Sequence, residues 1–193
     1  TAFLLNVVPD RYKSLGLSPL DEYFAAARGY QGEKGDVKAL AMKKWFNTNY
    51  HYMVPEIDDN TVLKLSDNKP FELFTEALDN GVKTTPVIIG PYTFLELARY
   101  IGTKTKENFF GNITDTYIQI IGKFVTLGAE WLQLDEPCLV KDMSREDIEF
   151  FNSLYSKILE NKNGLKIRLQ TYFGDVRDCY KEICALDFDG IGL

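Results

Sequence analysis

Glu130-Trp131-Leu132-Gln133-Leu134, running into Asp135-Glu136-Pro137, reads as a strand that closes on two carboxylates and a proline. A helical pattern precedes it: Ile113, Tyr117, Ile120, Ile121, Phe124 and Val125 recur at helical spacing between Ile113 and Leu127. Another follows it. Ser144 with Asp147 resembles a capping box and opens a helix carrying Ile148, Phe151, Leu154, Ile158 and Leu159, which Asn163-Gly164 ends. Further out the unit repeats. Thr85-Pro86-Val87-Ile88-Ile89-Gly90 is an apolar strand bounded by Pro and Gly, and Leu165 to Thr171 is a strand before a helix over Val176 to Ala185. Phe188 to Leu193 begins one more strand. Strands alternating with helices of these lengths predict a parallel α/β sheet.

The first half of the chain is less regular. Ser18-Pro19, with Leu20, Tyr23, Phe24 and Ala27, predicts a helix with a Ser cap, Pro in its first turn and Gly29 past its end. Residues 30–38, rich in Gly and charge, read as a mobile connection. Residues 44–50 read as a strand with Lys44, Phe46, Thr48 and Tyr50 on one face and Trp45, Asn47 and Asn49 on the other. Ile57 to Thr61 reads as a turn and Val62 to Leu65 as short and peripheral. Helices are expected over Pro70 to Leu78 and Pro91 to Ile101, with a break at Phe110-Gly111-Asn112.

Doubly wound sheets and closed barrels both satisfy this alternation. Asn47, Asp135, Glu136 and Thr171 all fall at or just after strand ends, as in a barrel whose active face is assembled from several strands. No G-x-G-x-x-G or P-loop follows a strand, which weakens a nucleotide-binding reading.

With 193 residues, 45% hydrophobic and 26% charged, the chain has the composition of one soluble globular domain. The net charge of −6 argues against a broad nucleic-acid surface. No apolar run is long enough for a bilayer, and Thr1 to Pro9 lacks the basic region and cleavage site of a signal peptide, so a cytoplasmic protein is expected. Cys138, Cys179 and Cys184 form no C-x-x-C pair and read as buried free thiols. His51, the only histidine, lacks Cys or Glu at useful spacing for zinc and reads as structural. Asp135 and Glu136 could act as general acid and base, but neighbours on a strand point to opposite faces. Trp45, Phe46, Tyr50, Tyr52 and Trp131 could stack on a planar ligand or fill the core.

Lys44-Trp45-Phe46-Asn47-Thr48-Asn49-Tyr50-His51-Tyr52-Met53-Val54-Pro55-Glu56 closely resembles a signature of the N-terminal domain of the cobalamin-independent methionine synthases. Leu20 to Gly29, Ile89 to Leu95 and Gly128 to Pro137 resemble other segments of that family in the same order. The resemblance implies a (β/α)8 TIM barrel, present here in part, with about five of its eight strands. Residues 1–193 would be a partial N-terminal barrel with no second domain, lacking the opening units, the last unit and the C-terminal catalytic domain. It further implies an enzyme that transfers a methyl group from 5-methyltetrahydropteroyltri-L-glutamate to L-homocysteine. Lys44 matches the family lysine that contacts the glutamate tail of the folate, and a long mobile cation suits such a tail. The zinc ligands and acid-base histidine belong to the C-terminal barrel of the same chain, so no catalytic residue, metal or bound cofactor is expected within 1–193. Two rival readings are a metal-free barrel hydrolase using Asp135 or Glu136 and a purely structural module.

Overall fold

The computed structural model describes residues 1–193. After a turn at the N-terminus come α1 (Asp10–Lys13) and α2 (Pro19–Arg28). The second helix starts as its sequence dictates: the Ser18 side chain accepts from the Asp21 N–H, Pro19 opens the first turn, and Gly29 closes the helix at φ 81°. Residues 30–38, expected to form a mobile connection, instead contain an antiparallel hairpin of β1 (Tyr30–Gly32) and β2 (Gly35–Val37).

The expected strand over 44–50 is not formed. The segment is the reversal between β3 (Met42–Lys44) and β4 (His51–Met53), which pair antiparallel with Lys44 opposite His51. The Trp45 N–H donates to the Tyr50 carbonyl at 2.7 Å, the Thr48 hydroxyl donates to the Trp45 carbonyl at 2.6 Å, and Phe46 takes φ 52°. That left-handed residue ends the side-chain alternation on which the two-faced reading depended.

The chain continues through β5 (Glu56–Asp58), α3 (Lys69–Asp79), β6 (Val87–Ile89) and α4 (Pro91–Leu97). The helix expected to reach Ile101 stops at Leu97. Arg99 donates its N–H to the Pro55 carbonyl at 2.8 Å, and β7 (Arg99–Ile101) lies parallel to β5. Leu63, expected to be peripheral, is buried in the main core, and the Lys64 and Ser66 N–H groups donate to the Leu5 and Leu4 carbonyls. A 3-10 turn (Lys106–Phe109) leads directly into α5 (Phe110–Thr126), so Phe110-Gly111-Asn112 begins a helix where a break was expected. The capping of the chain reversal falls earlier, at Thr105 and Asn108. Then follow β8 (Trp131–Asp135), α6 (Arg145–Leu159), β9 (Lys166–Gln170), α7 (Tyr180–Ala185) and β10 (Gly190–Gly192). The Ser144–Asp147 capping box is present in full, whereas the helix expected from Val176 begins only at Tyr180.

Strands β6, β8, β9 and β10 form one parallel sheet in chain order. Four strands join it; the hairpin at 42–53 does not, so the fifth expected strand is missing from the sheet. Alternation divides its faces. Ile88, Leu132, Leu134, Ile167 and Leu169 are buried in one cluster with Tyr117, Ile120 and Phe124 of α5 and Phe151, Leu154 and Tyr155 of α6. On the other face Trp131, Gln133, Asp135, Arg168 and Gln170 are half-buried, and Val87 is exposed. A parallel sheet covered on both faces would be apolar throughout, so the polar inner face marks the side that remains open. A smaller cluster of Val8, Tyr12, Ala25, Ala26 and Leu40 holds the N-terminal helices together. No helix is long and apolar enough to cross a membrane.

Candidate functional site

The ends of β8 and β9 carry most of the chemistry, and the pleat separates the two carboxylates there. Glu136 is fully buried. Its Oε1 accepts from the Tyr92 N–H at 3.0 Å and the Tyr155 hydroxyl at 2.6 Å, and Oε2 accepts from the Thr93 N–H at 2.6 Å. Tyr92 and Thr93 lie in the first turn of α4, so Glu136 satisfies two helix N–H groups that have no partner within the helix. The Thr93 hydroxyl in turn accepts from the Cys138 N–H at 3.1 Å. Burial pushes the Glu136 pKa up to about 7, against the hydrogen bonds from Thr93, Tyr155 and Tyr92 that pull it down. This carboxylate is a joint between helix and sheet and presents nothing to a ligand.

Asp135 points the other way. Its Oδ1 accepts from Gln133 Nε2 at 2.9 Å and its Oδ2 from the Tyr172 hydroxyl at 3.2 Å. Burial raises its pKa while those two hydrogen bonds oppose the rise. It lines a groove of about 1150 Å³ that also touches Phe3, Tyr23, Leu73, Val87 and Ile89.

Above Asp135 lies an aromatic cluster contributed by two separate loops. Trp45 packs edge-on against Phe46 and Tyr52, with ring centroids 5.2 and 5.6 Å apart. The Phe46 and Phe173 rings lie 5.4 Å apart, and Tyr172 meets Phe173 edge-on at 4.7 Å. Lys141 Nζ is 5.8 Å from the centre of the Phe46 ring. Lys44 closes β3 beside this cluster; it is exposed and forms no ion pair.

The remaining candidates disperse. Asn47 is exposed in the hairpin reversal, while Thr171 is buried and donates to the Gly192 carbonyl at 3.4 Å. His51 is exposed opposite Lys44, and Tyr50 is exposed at the hairpin. No three His, Cys, Asp or Glu side chains gather where they could hold a metal ion, so the residues present here do not fit a zinc site. Cys138 and Cys179 are buried thiols as expected, but Cys184 is exposed because it lies one residue, about 100° around the helix, past the buried Ile183 of α7. Tyr172 and Phe173 were not anticipated, although two aromatics directly after a strand and before Gly174 are a legible sign of a shaped strand-end loop.

Residues 1–193 match the family described as "Cobalamin-independent synthase, N-terminal domain". Among curated relatives, the 5-methyltetrahydropteroyltriglutamate–homocysteine methyltransferase of Streptococcus thermophilus is 51% identical over 192 residues, covering 100% of this chain and 26% of that protein. The proteins of the same name from Lactococcus lactis subsp. cremoris and Bifidobacterium animalis subsp. lactis are 52% and 48% identical, and the chain covers 25% and 26% of them. The chain thus spans about a quarter of the length of these relatives. Among solved structures, a putative vitamin-B12 independent methionine synthase from Listeria monocytogenes superposes with a TM-score of 0.55 at 18% identity. The match covers 69% of this chain and 46% of that one, and is a likeness of fold.

Proposed function

Because the chain belongs to the cobalamin-independent synthase family, as its N-terminal domain, we propose that it works as part of a 5-methyltetrahydropteroyltriglutamate–homocysteine methyltransferase. The whole enzyme would be cytoplasmic and would move a methyl group from 5-methyltetrahydropteroyltri-L-glutamate to L-homocysteine, giving methionine. The observation that carries the reading is a relative of that name that is 51% identical along the entire chain.

In this reading residues 1–193 are one partial domain that scaffolds a C-terminal barrel of the same protein and grips the folate tail. The four parallel strands, adjacent in chain order, are half of the eight that a closed (β/α)8 barrel needs. Zinc belongs to the C-terminal barrel, where a metal-bound homocysteine thiol is held as the thiolate. Lys44 is the tail-binding residue. Its exposed ammonium, free of any carboxylate and next to aromatic surface, suits a string of carboxylates. Of the rival readings, a hydrolase with Glu136 as acid or base is disfavoured because that carboxyl is buried and its oxygens are occupied. A purely structural module would leave Lys44 without a ligand.

The test is Lys44→Ala in the full-length protein. Binding of the triglutamate folate should weaken about two- to fivefold, the equivalent of one exposed ion pair, and the loss should shrink at high salt. The monoglutamate should change less. Equal weakening of both folates would assign Lys44 to the hairpin or the pterin pocket and overturn the tail assignment.

A further inference from the structure

Four non-glycine residues in the chain have positive φ: Asn6, Phe46, Asn163 and Phe173. Asparagine tolerates the left-handed region, whereas a bulky side chain there is strained and persists only where its surroundings hold it. The two phenylalanines come from segments more than a hundred positions apart, yet their rings touch, with centroids 5.4 Å apart and planes tilted by 35°. Both sit at the end of the sheet from which Asp135 emerges. The Phe173 loop is tied there by the Tyr172 hydroxyl donating to Asp135, while the Trp45 and Thr48 hydrogen bonds close the Phe46 reversal on itself.

Phe46 is half-buried and packs against the main core, but core packing does not account for Phe173. Phe173 is 48% exposed, so the strain at its backbone holds a ring out at the surface rather than burying it. Phe46, the half-buried partner of this ring, has Lys141 Nζ 5.8 Å from its ring centre, and Lys44 lies two residues before it in the same hairpin. Aromatic faces beside unpaired ammonium groups recognise an aromatic ring that carries carboxylates, because the ring stacks while the acid groups meet the amines.

We infer that Phe46 and Phe173 form the contact surface for the aminobenzoyl ring of the folate, adjoining the tail that Lys44 holds. This rests on the tail-binding reading proposed above and extends it to a different part of the substrate. An aminobenzoyl ring bears its glutamates through a single amide, so ring and first carboxylates would be received by neighbouring residues of one hairpin. Asp135 then acts as a positioning residue: through Tyr172 it fixes the loop that presents Phe173. The carboxylate predicted from sequence as a possible acid or base thereby finds a use that needs no proton transfer.

The experiment uses the full-length protein and two probes, p-aminobenzoyl-tri-γ-glutamate and tri-γ-glutamate without the ring, with affinities measured by calorimetry. Phe173→Gly removes the ring while supplying the residue best suited to φ 78°, so the loop conformation is retained. It should weaken the aminobenzoyl probe about three- to tenfold, the range expected for one aromatic contact, and leave the ring-free probe within about twofold. Phe173→Tyr should restore affinity. Unchanged binding of the aminobenzoyl probe to Phe173→Gly overturns the inference, and so does equal weakening of both probes, which would mean that the ring only shapes the loop. Lys44→Ala distinguishes the two levels of the reading. Weakening of both probes by Lys44→Ala, with neither weakened by Phe173→Gly, removes the aromatic contact alone; no effect of Lys44→Ala on either probe removes the tail assignment beneath it.

Discussion

A methyl group placed on Gly90 would meet Glu136 Oε1 at 2.2 Å, its carboxyl carbon at 2.4 Å and the Tyr155 hydroxyl oxygen at 2.6 Å. None of these atoms can retreat easily. Glu136 and Tyr155 are fully buried, and the carboxylate is held from three directions by the Tyr92 and Thr93 N–H groups and the Tyr155 hydroxyl. Gly90→Ala must therefore displace the carboxylate from the first turn of α4. Above pH 7, where the Glu136 carboxyl is ionised, losing one or two hydrogen bonds to it costs about 1.5–3 kcal/mol each, and forcing an extra methyl into a packed site about 1–3 kcal/mol. Together the expected cost is roughly 2.5–9 kcal/mol, which at about 2–4 °C per kcal/mol for a domain of this size lowers the unfolding midpoint by roughly 5–36 °C. Scanning calorimetry of the full-length protein reads this as a downward shift of one transition. Combining Gly90→Ala with Tyr155→Phe should recover part of the loss, since it removes the oxygen at 2.6 Å. A destabilisation below about 1 kcal/mol would show that the carboxylate is free to move, and the account of Glu136 as a fixed joint would fail.

Two other perturbations test neighbouring parts of the fold. Since burial raises the Glu136 pKa from the ordinary 4.5 to about 7, the folded state holds this proton where the unfolded state has released it. The contribution to stability is therefore complete below about pH 4.5 and is lost as pH rises through about 7, by roughly 3 kcal/mol. Chemical denaturation at a series of pH values should show this decline, and Glu136→Gln should flatten it; an unchanged slope in the variant would assign the titration elsewhere. At a second joint, Lys106 hydrogen-bonds to both Glu96 and Asp147 with its side chain only 19% exposed. Lys106→Met would leave two partly buried carboxylates facing one ammonium fewer and should cost about 1–3 kcal/mol, after discounting a fully buried pair for solvent screening. Adding Glu96→Gln should recover some of it, and no recovery in a double-mutant cycle would mean that the three groups are not coupled.

What the sequence made legible is the part of the fold governed by local pattern. The alternation Trp131 to Asp135 placed Leu132 and Leu134 in the core and left Gln133 and Asp135 on the open face, and helical spacing found α5 and α6. The failures share a cause: long-range pairing overrode local preference. Residues 44–50 contain β-formers and no turn signal such as Asn-Gly, yet Phe46 is left-handed and its ring packs on Phe173 from the other half of the chain. Arg99 to Ile101 continued a helical pattern until Pro55 offered a strand partner, and Leu63 looked peripheral until the N-terminal turn closed over it. The candidate site was half legible for the same reason. Lys44 and Asp135 stood out as single residues, but their connection through Tyr172 and Phe173 exists only once two loops meet.

The pair Asp135-Glu136 shows how one local rule can separate two identical chemistries. A strand sends consecutive side chains to opposite faces, so two adjacent carboxylates at a strand end are delivered to different environments. Glu136 turns toward the helices and meets helix N–H groups and a tyrosine hydroxyl, which occupy it fully. Asp135 turns toward the open face, where its partners are side chains of the strand ends. An acid and base acting together at one scissile bond would need both groups on the same side, so this strand cannot supply such a pair without giving up either its pleat or the joint at α4. The same geometry favours binding at this end of the sheet, because the buried carboxylate makes the floor rigid while the half-buried Asp135 steadies the loop that carries Phe173. Rigid support beneath a polar and aromatic surface is what a domain needs to hold one part of a substrate while the reaction takes place elsewhere.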